Sequence, residues 1–268
     1  MSDTDNPNVI RSKIWREEPE PDNAFATRAA FCRGYDVYGE MLGQSRWVDM
    51  LFMLFQNEAP TTVQADLLET LAVALANPGP RDASVHAAMC GGVCGSTAAS
   101  SLMAALAVGA GQLSGGREVF MSMEGWVECD TDLDAWRKRL AGLDAIPGSI
   151  WPAPDHPPGF DPHGVGTATS VKQTLACLAR YGAGYRLPWL QQNLTGLEAA
   201  SGCPLALSGV AAAAFTDLGF APEQGEMLHL LLRLPGAAAH ALEQRPLGYK
   251  NFPFGTVELE GEIAEESA

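Results

Sequence analysis

The sequence predicts an all-α protein. Apolar residues recur at helical spacing along nearly the whole chain, and the strict alternation of half-buried strands is almost absent. The periodic runs are punctuated by Asn, Pro and Gly clusters and by Thr or Asp at their starts, as helix ends and caps require. Trp47, Met50, Leu51, Met53, Leu54 and Phe55 mark a buried helix that stops at the turn Asn57-Glu58-Ala59-Pro60. Thr61-Thr62 then caps a second helix, with Leu67, Leu68, Leu71, Val73 and Leu75 on its inner side and Asn77-Pro78-Gly79-Pro80 as its stop. Residues 96–113 are largely Ala, Gly, Ser and Leu, and such small side chains let helix backbones approach closely, so this is read as a central or subunit-interface helix. Residues 132–143, 170–181, 187–201, 209–218, 222–234 and 237–244 complete the set, about ten helices in all by apolar periodicity.

One segment breaks the pattern. Residues 146–166 hold six prolines, four glycines and four His or Asp residues, which leaves little room for regular structure. A loop of that length inside a compact domain is functional or disordered.

Composition bounds the function. The 268-residue chain is 47% apolar and 18% charged, a globular balance, and is long enough for one large or two small domains. Its net charge of −15 argues against nucleic acid as a partner, because phosphate binding needs clustered Lys and Arg. Part of that charge lies in residues 17–22 and 258–266, read as mobile or solvated. The polar first eight residues do not resemble a signal peptide, and the most apolar stretch, 102–110, is too short to cross a bilayer. The six scattered cysteines read as reduced core thiols. A soluble cytoplasmic protein with no membrane segment is expected.

No short motif announces a chemistry, so the polar residues are weighed one by one. His240 sits among alanines and reads as a buried structural histidine. Cys90 and Cys94, with His86 one turn earlier, have no second ligand pair, so packing outweighs a metal site and no metal is expected. Glu124 and Glu128 are spaced as a solvated helix face. For Arg233, a ligand contact and a structural salt bridge weigh equally.

The order of the fragments carries more than any one of them. Gly34-Tyr35-Asp36-Val37, Leu42-Gly43, the run from Leu51 to Gln56 and the stretch from Glu58 to Leu75 come first. Leu207-Ser208-Gly209, a small-residue helix, Asp217-Leu218-Gly219-Phe220, Arg233-Leu234-Pro235-Gly236, His240 and Glu243 close the chain. Together they resemble the citrate synthase family, in particular the short citryl-CoA lyases and the lyase module of ATP citrate lyase. The resemblance covers roughly residues 10–125 and 200–255.

That resemblance implies a two-lobed citrate synthase-like fold, with residues 1–125 plus 226–268 as the large lobe and 126–225 as the small one. It implies a homodimer or higher homo-oligomer with residues 96–113 in the interface. The ligands it implies are an acyl-CoA, as substrate or ligand rather than cofactor, and a di- or tricarboxylate. The reaction it implies makes or breaks a carbon–carbon bond beside the thioester, as a lyase or acyltransferase. Such chemistry needs a base for an acidified C–H, hydrogen-bond donors to the developing oxyanions, and arginines for carboxylates.

The site residues carried over by resemblance are substituted. Ser208 stands where the family has its aspartate base, and Pro78 stands at a histidine position. Ser114 occupies a position where relatives show His or Phe. His156 or His163 would take the keto-oxygen role, Arg233 would grip a substrate carboxylate, and Lys250 falls near a further basic position. Losing a general base removes about 10²–10⁴-fold of rate, so little or no turnover is expected unless another carboxylate, such as Asp155 or Asp161, is delivered. Three readings follow: a citryl-CoA lyase-like enzyme with a rewired site, a pseudoenzyme that binds acyl-CoA or carboxylate as a regulatory subunit, and a different reaction built on Ser208 or a loop histidine.

Overall fold

The computed structural model describes residues 10–142, 155–253 and 255. Most of the proline-rich segment before residue 155 and the acidic stretch 258–266 lie outside the described residues. The chain is helical, as expected, with one small addition. Strand β1 (Trp15–Glu20) pairs antiparallel with β2 (Asn23–Cys32), which pairs with β3 (Tyr35–Asp36). The acidic stretch after Glu17, read as mobile or solvated, is therefore mostly strand. Two of its carboxylates are partnered: Glu17 accepts from Trp15 Nε1 at 2.6 Å, and Glu18 accepts from Arg16 at 2.6 Å and Arg28 at 2.9 Å, cations that hold its carboxyl below the usual range. The hairpin escaped notice because only its far end, Ala30 and Cys32, enters the core.

Cα packing divides the chain into two compact units. The first comprises Met1–Ala76 with Gly109–Arg233, and the second Asn77–Val108 with Leu234–Ala268. These units are not the lobes implied by the resemblance, and the division at 125 and 226 stays a proposal.

In the first unit, α1 (Trp47–Phe55) and α2 (Thr62–Leu75) follow the strands. A capping box fixes the start of α2: Thr61 accepts the Gln64 N–H while Gln64 Oε1 accepts the Thr61 N–H at 2.9 Å. Leu67, Leu68, Leu71 and Leu75 are buried, but Val73 is 75% exposed, because two residues rotate a helix by roughly 200° away from Leu71. Helices α2, α5 (Gly116–Cys129), α7 (Thr169–Ala179) and α8 (Arg186–Ser201) surround α9 (Leu207–Asp217), and α6 (Leu133–Ala141) packs on α5 and α8. Every side chain of α9 from Val210 to Phe215 is fully buried, so alanine is what allows its neighbours to close in. At its far end Asp217 accepts the N–H groups of Arg186 (3.0 Å) and Leu187 (2.9 Å), capping α8 from another element. Burial pushes the Asp217 carboxyl up despite those bonds.

In the second unit, α3 (Ala83–Val93) and α4 (Ala98–Gly109) pack with the last part of α10 (Pro222–Gln244) around Val85, Ala88, Met89, Ala105, Ala237 and Ala241. A short α11 (Gly248–Asn251) follows. His240 is half-buried and bonded, Nδ1 to Glu243 at 2.9 Å and Nε2 to Asn77 at 3.2 Å, which fits the structural role read for it.

Three expectations change. Helices α3 and α5 were not foreseen as elements. Cys94 is exposed, unlike buried Cys32 and Cys129. The break expected at Pro235-Gly236 is absent: α10 runs through it, with Pro235 inside. Proline there removes the hydrogen bond to the Leu231 carbonyl, a loss of about 3 kcal/mol, which the burial of Leu232, Ala237 and Ala241 on either side helps to offset.

Candidate functional site

The first unit contains a buried carboxylate that none of the motifs named. Glu118 lies in the first turn of α5 and is 1% exposed. Its Oε1 accepts from Ser208 Oγ at 2.8 Å and from the Gly159 N–H at 3.0 Å, and its Oε2 accepts the Ser114 N–H. His156, 5% exposed, brings Nε2 to 3.7 Å from the same Oε1. Two helix N-termini meet here, since Ser208 (4% exposed) sits in the first turn of α9 and Glu118 in that of α5. An anion is favoured at such an end.

The backbone holds these groups in place. Ser114, before the Gly115 cap of α5, has φ +55°, a left-handed conformation uncommon for a residue with a side chain. That turn aims its N–H at Glu118, while its carbonyl accepts Arg233 Nη1 at 2.6 Å. The same Nη1 lies 3.0 Å from His229 Nε2, one turn earlier on α10. Because α10 continues past Pro235, Arg233 sits in mid-helix rather than at a helix end.

The segment that carries His156 is tied to the start of α9. Asp161 N donates to the Pro204 carbonyl at 2.8 Å, Ala206 N donates to the Gly159 carbonyl at 2.9 Å, and Phe160 bridges to Leu205. Gly159 has φ +89°, and a Cβ there would come within 2.9 Å of the Gly209 Cα, so two glycines permit this contact. Behind it lies a cavity of about 10 Å³ lined by Ser122, Trp126, Trp136 and Phe160, which is apolar apart from the serine.

Four of the six residues proposed from sequence therefore meet in one cluster: Ser208, His156, Ser114 and Arg233. Of the other two, His163 does not join it. His163 is exposed, and its described hydrogen bond is a backbone N–H to Asp161 at 2.9 Å. Lys250 is exposed on α11 in the second unit. Asp161 is an exposed turn acceptor, and Asp155 is exposed as well. Glu118 was missed because α5 was missed. Its signal was present: Gly115-Gly116 followed by Val119, Met123 and Trp126 at helical spacing. No group of three His, Cys, Asp or Glu among the described residues could hold a metal ion.

Solved structures give the arrangement its frame. Citryl-CoA lyase from Hydrogenobacter thermophilus superposes with a TM-score of 0.72 at 16% identity, over 97% of this chain and 95% of that one. The fold is that of citryl-CoA lyase. ATP citrate lyase from Methanothrix soehngenii, solved with citrate and coenzyme A, matches at TM-score 0.72 and 17% identity over 96% of this chain and 43% of its own. The Methanosaeta concilii enzyme, an aspartate-to-alanine mutant solved with (3S)-citryl-CoA, matches at 0.71 and 15%, again over 43% of its length. No protein-family model and no curated protein sequence matches the chain. At these identities the citryl-CoA lyase likeness is one of fold, and the chemistry rests on the cluster itself.

Proposed function

We propose that the protein makes or breaks a carbon–carbon bond beside an acyl-CoA thioester, acting on a di- or tricarboxylate at the Glu118 cluster. The observation that carries this reading is the Glu118 carboxylate 2.8 Å from Ser208 Oγ. It puts an acid at the start of α9, where the resemblance calls for an aspartate and the sequence has serine. Support comes from the structural neighbours, which include proteins solved with citrate, coenzyme A and citryl-CoA. In this reading Arg233 binds a substrate carboxylate through its guanidinium fork, and Ser114 and Ser208 line the site. Lys250 and His163 join only if a second copy or a bound ligand brings them in. The protein works as a homodimer through α4, which exposes Met103 and Val108.

The test is cleavage of citryl-CoA together with coenzyme A binding by calorimetry. Turnover that falls about 100-fold or more in Glu118→Gln, with coenzyme A still bound, is the expected result. Arg233→Lys should weaken citrate or oxaloacetate binding about tenfold, because an ammonium loses the bidentate grip.

A second reading keeps the ligands and drops the chemistry. Both Glu118 oxygens already accept hydrogen bonds and the group is almost fully buried, as suits a structural carboxylate in a binding or regulatory subunit. Coenzyme A binding without any turnover would select it.

A further inference from the structure

We infer that the proton-carrying group of this site is the His156 imidazole, held by Glu118, so that a carboxylate–imidazole pair replaces the single carboxylate missing at Ser208. The inference rests on the proposed reaction and names its acid–base group. Glu118 itself is committed: Oε1 accepts from Ser208 and Gly159, and Oε2 from Ser114. His156 is the opposite case. It is 5% exposed, its Nε2 faces Glu118 Oε1 at 3.7 Å, and its Nδ1 is buried with no hydrogen-bond partner. Leaving a buried polar atom unmade costs about 1–3 kcal/mol. Other buried atoms, such as Glu124 Oε2, also lack a partner, but Nδ1 is the bare one on a ring that faces the Glu118 carboxylate within a segment otherwise secured by the bonds of Gly159, Asp161 and Ala206.

The carboxylate also decides which nitrogen carries the proton. In the neutral ring an anion beside Nε2 favours N–H there, which leaves the lone pair on Nδ1. Nδ1 then takes a proton from the carbon next to the thioester carbonyl. The C–H electron pair becomes the carbon–carbon π bond of the enolate, and the carbonyl π pair moves to oxygen. The imidazolium that results is compensated by Glu118, a positioning residue that does not itself touch the substrate. In the cleavage direction the steps reverse: the citryl hydroxyl loses its proton to solvent as its O–H pair forms the ketone, the carbon–carbon pair passes to the enolate, and the protonated imidazole gives its Nδ1 proton to that enolate carbon.

The test uses the full chain and acetyl-CoA as probe, following exchange of its methyl protons with deuterated water by NMR beside the citryl-CoA assay. The parent should exchange, and His156→Asn should lower exchange about 100-fold or more. In the ¹⁵N spectrum the neutral parent ring should carry its proton on Nε2, and Glu118→Gln should lose both that preference and most of the exchange. Should Glu118→Gln fail to fold, the parent spectrum and His156→Asn decide alone. Parent exchange that survives His156→Asn, or a proton found on Nδ1 in the neutral ring, overturns the inference while leaving the proposed function standing. A parent that neither exchanges acetyl-CoA nor cleaves citryl-CoA overturns the proposed function, and this inference falls with it.

Discussion

Glu118 and Glu124 lie on one helix, six residues apart, and the structure treats them in opposite ways. Glu118 is surrounded by donors, whereas Glu124 Oε2 is buried without a hydrogen bond, and burial raises the Glu124 carboxyl above its ordinary value despite Arg117 and Arg139 nearby. The spacing of Glu124 and Glu128 suggested a solvated face. Only Glu128 fits it, exposed and paired with Arg139. Because the folded state holds the Glu124 proton more tightly than the unfolded chain, this group's stabilising contribution is complete below its unfolded value. It is lost as pH rises through the raised one. Glu124→Gln should therefore melt higher than the parent at pH 7, and the gain should shrink as pH falls through the carboxylate range. A variant that melts lower at pH 7 would mean that the charge on Glu124 is used, in pairing with Arg117 or Arg139.

At the scale of elements, the contact between the 157–161 segment and α9 positions the site. Gly209→Ala tests it, because two effects of known size oppose each other. Alanine inside a helix is favoured over glycine by about 1 kcal/mol. Its Cβ would overlap the Gly159 carbonyl oxygen and come within 2.9 Å of Leu205 Cδ1. Backbone cannot swing aside as a flexible side chain can, and overpacking costs about 1–3 kcal/mol, so overlap wins. Differential scanning calorimetry should show a loss of about 2–4 °C per kcal/mol for a chain of this size. Citryl-CoA turnover should fall further than stability, since His156 rides on the displaced segment. A Gly209→Ala protein that is more stable would show that this contact does not hold in solution.

For the whole molecule, the open question is self-association. Helix α4 presents Met103 and Val108 to solvent, at the segment whose small residues suggested an interface. Light scattering should give twice the 28.4 kDa chain mass, and Val108→Arg should shift the protein to monomer by placing a charge in an apolar contact. A monomeric parent would remove the dimer from the proposal. No helix among the described residues is long and apolar enough to cross a membrane.

How far sequence reaches is visible in particular residues. The helical class was legible because apolar periodicity is local: Leu67, Leu68, Leu71 and Leu75 announce their face without help from the rest of the chain. The order of the fragments pointed to the citryl-CoA lyase fold, and placed Ser208, Ser114 and Arg233 among the residues to watch. Pro235 misled, because a proline is a local signal to stop and packing on both sides of it overrode that signal. The hairpin of β1 and β2 was hidden because its strands are mostly solvent-facing, so they lack the alternation that reveals a strand. Glu118 could not be found by asking what stands at the position of a lost aspartate, since its carboxylate reaches Ser208 from 90 residues away in the chain. Sequence by itself determined the helical class and most of the helices, and its resemblance singled out Ser208, because both signals are written in neighbouring residues. Only the tertiary structure decided that a carboxylate from α5 stands beside Ser208, because a contact between two helix ends depends on distance in space.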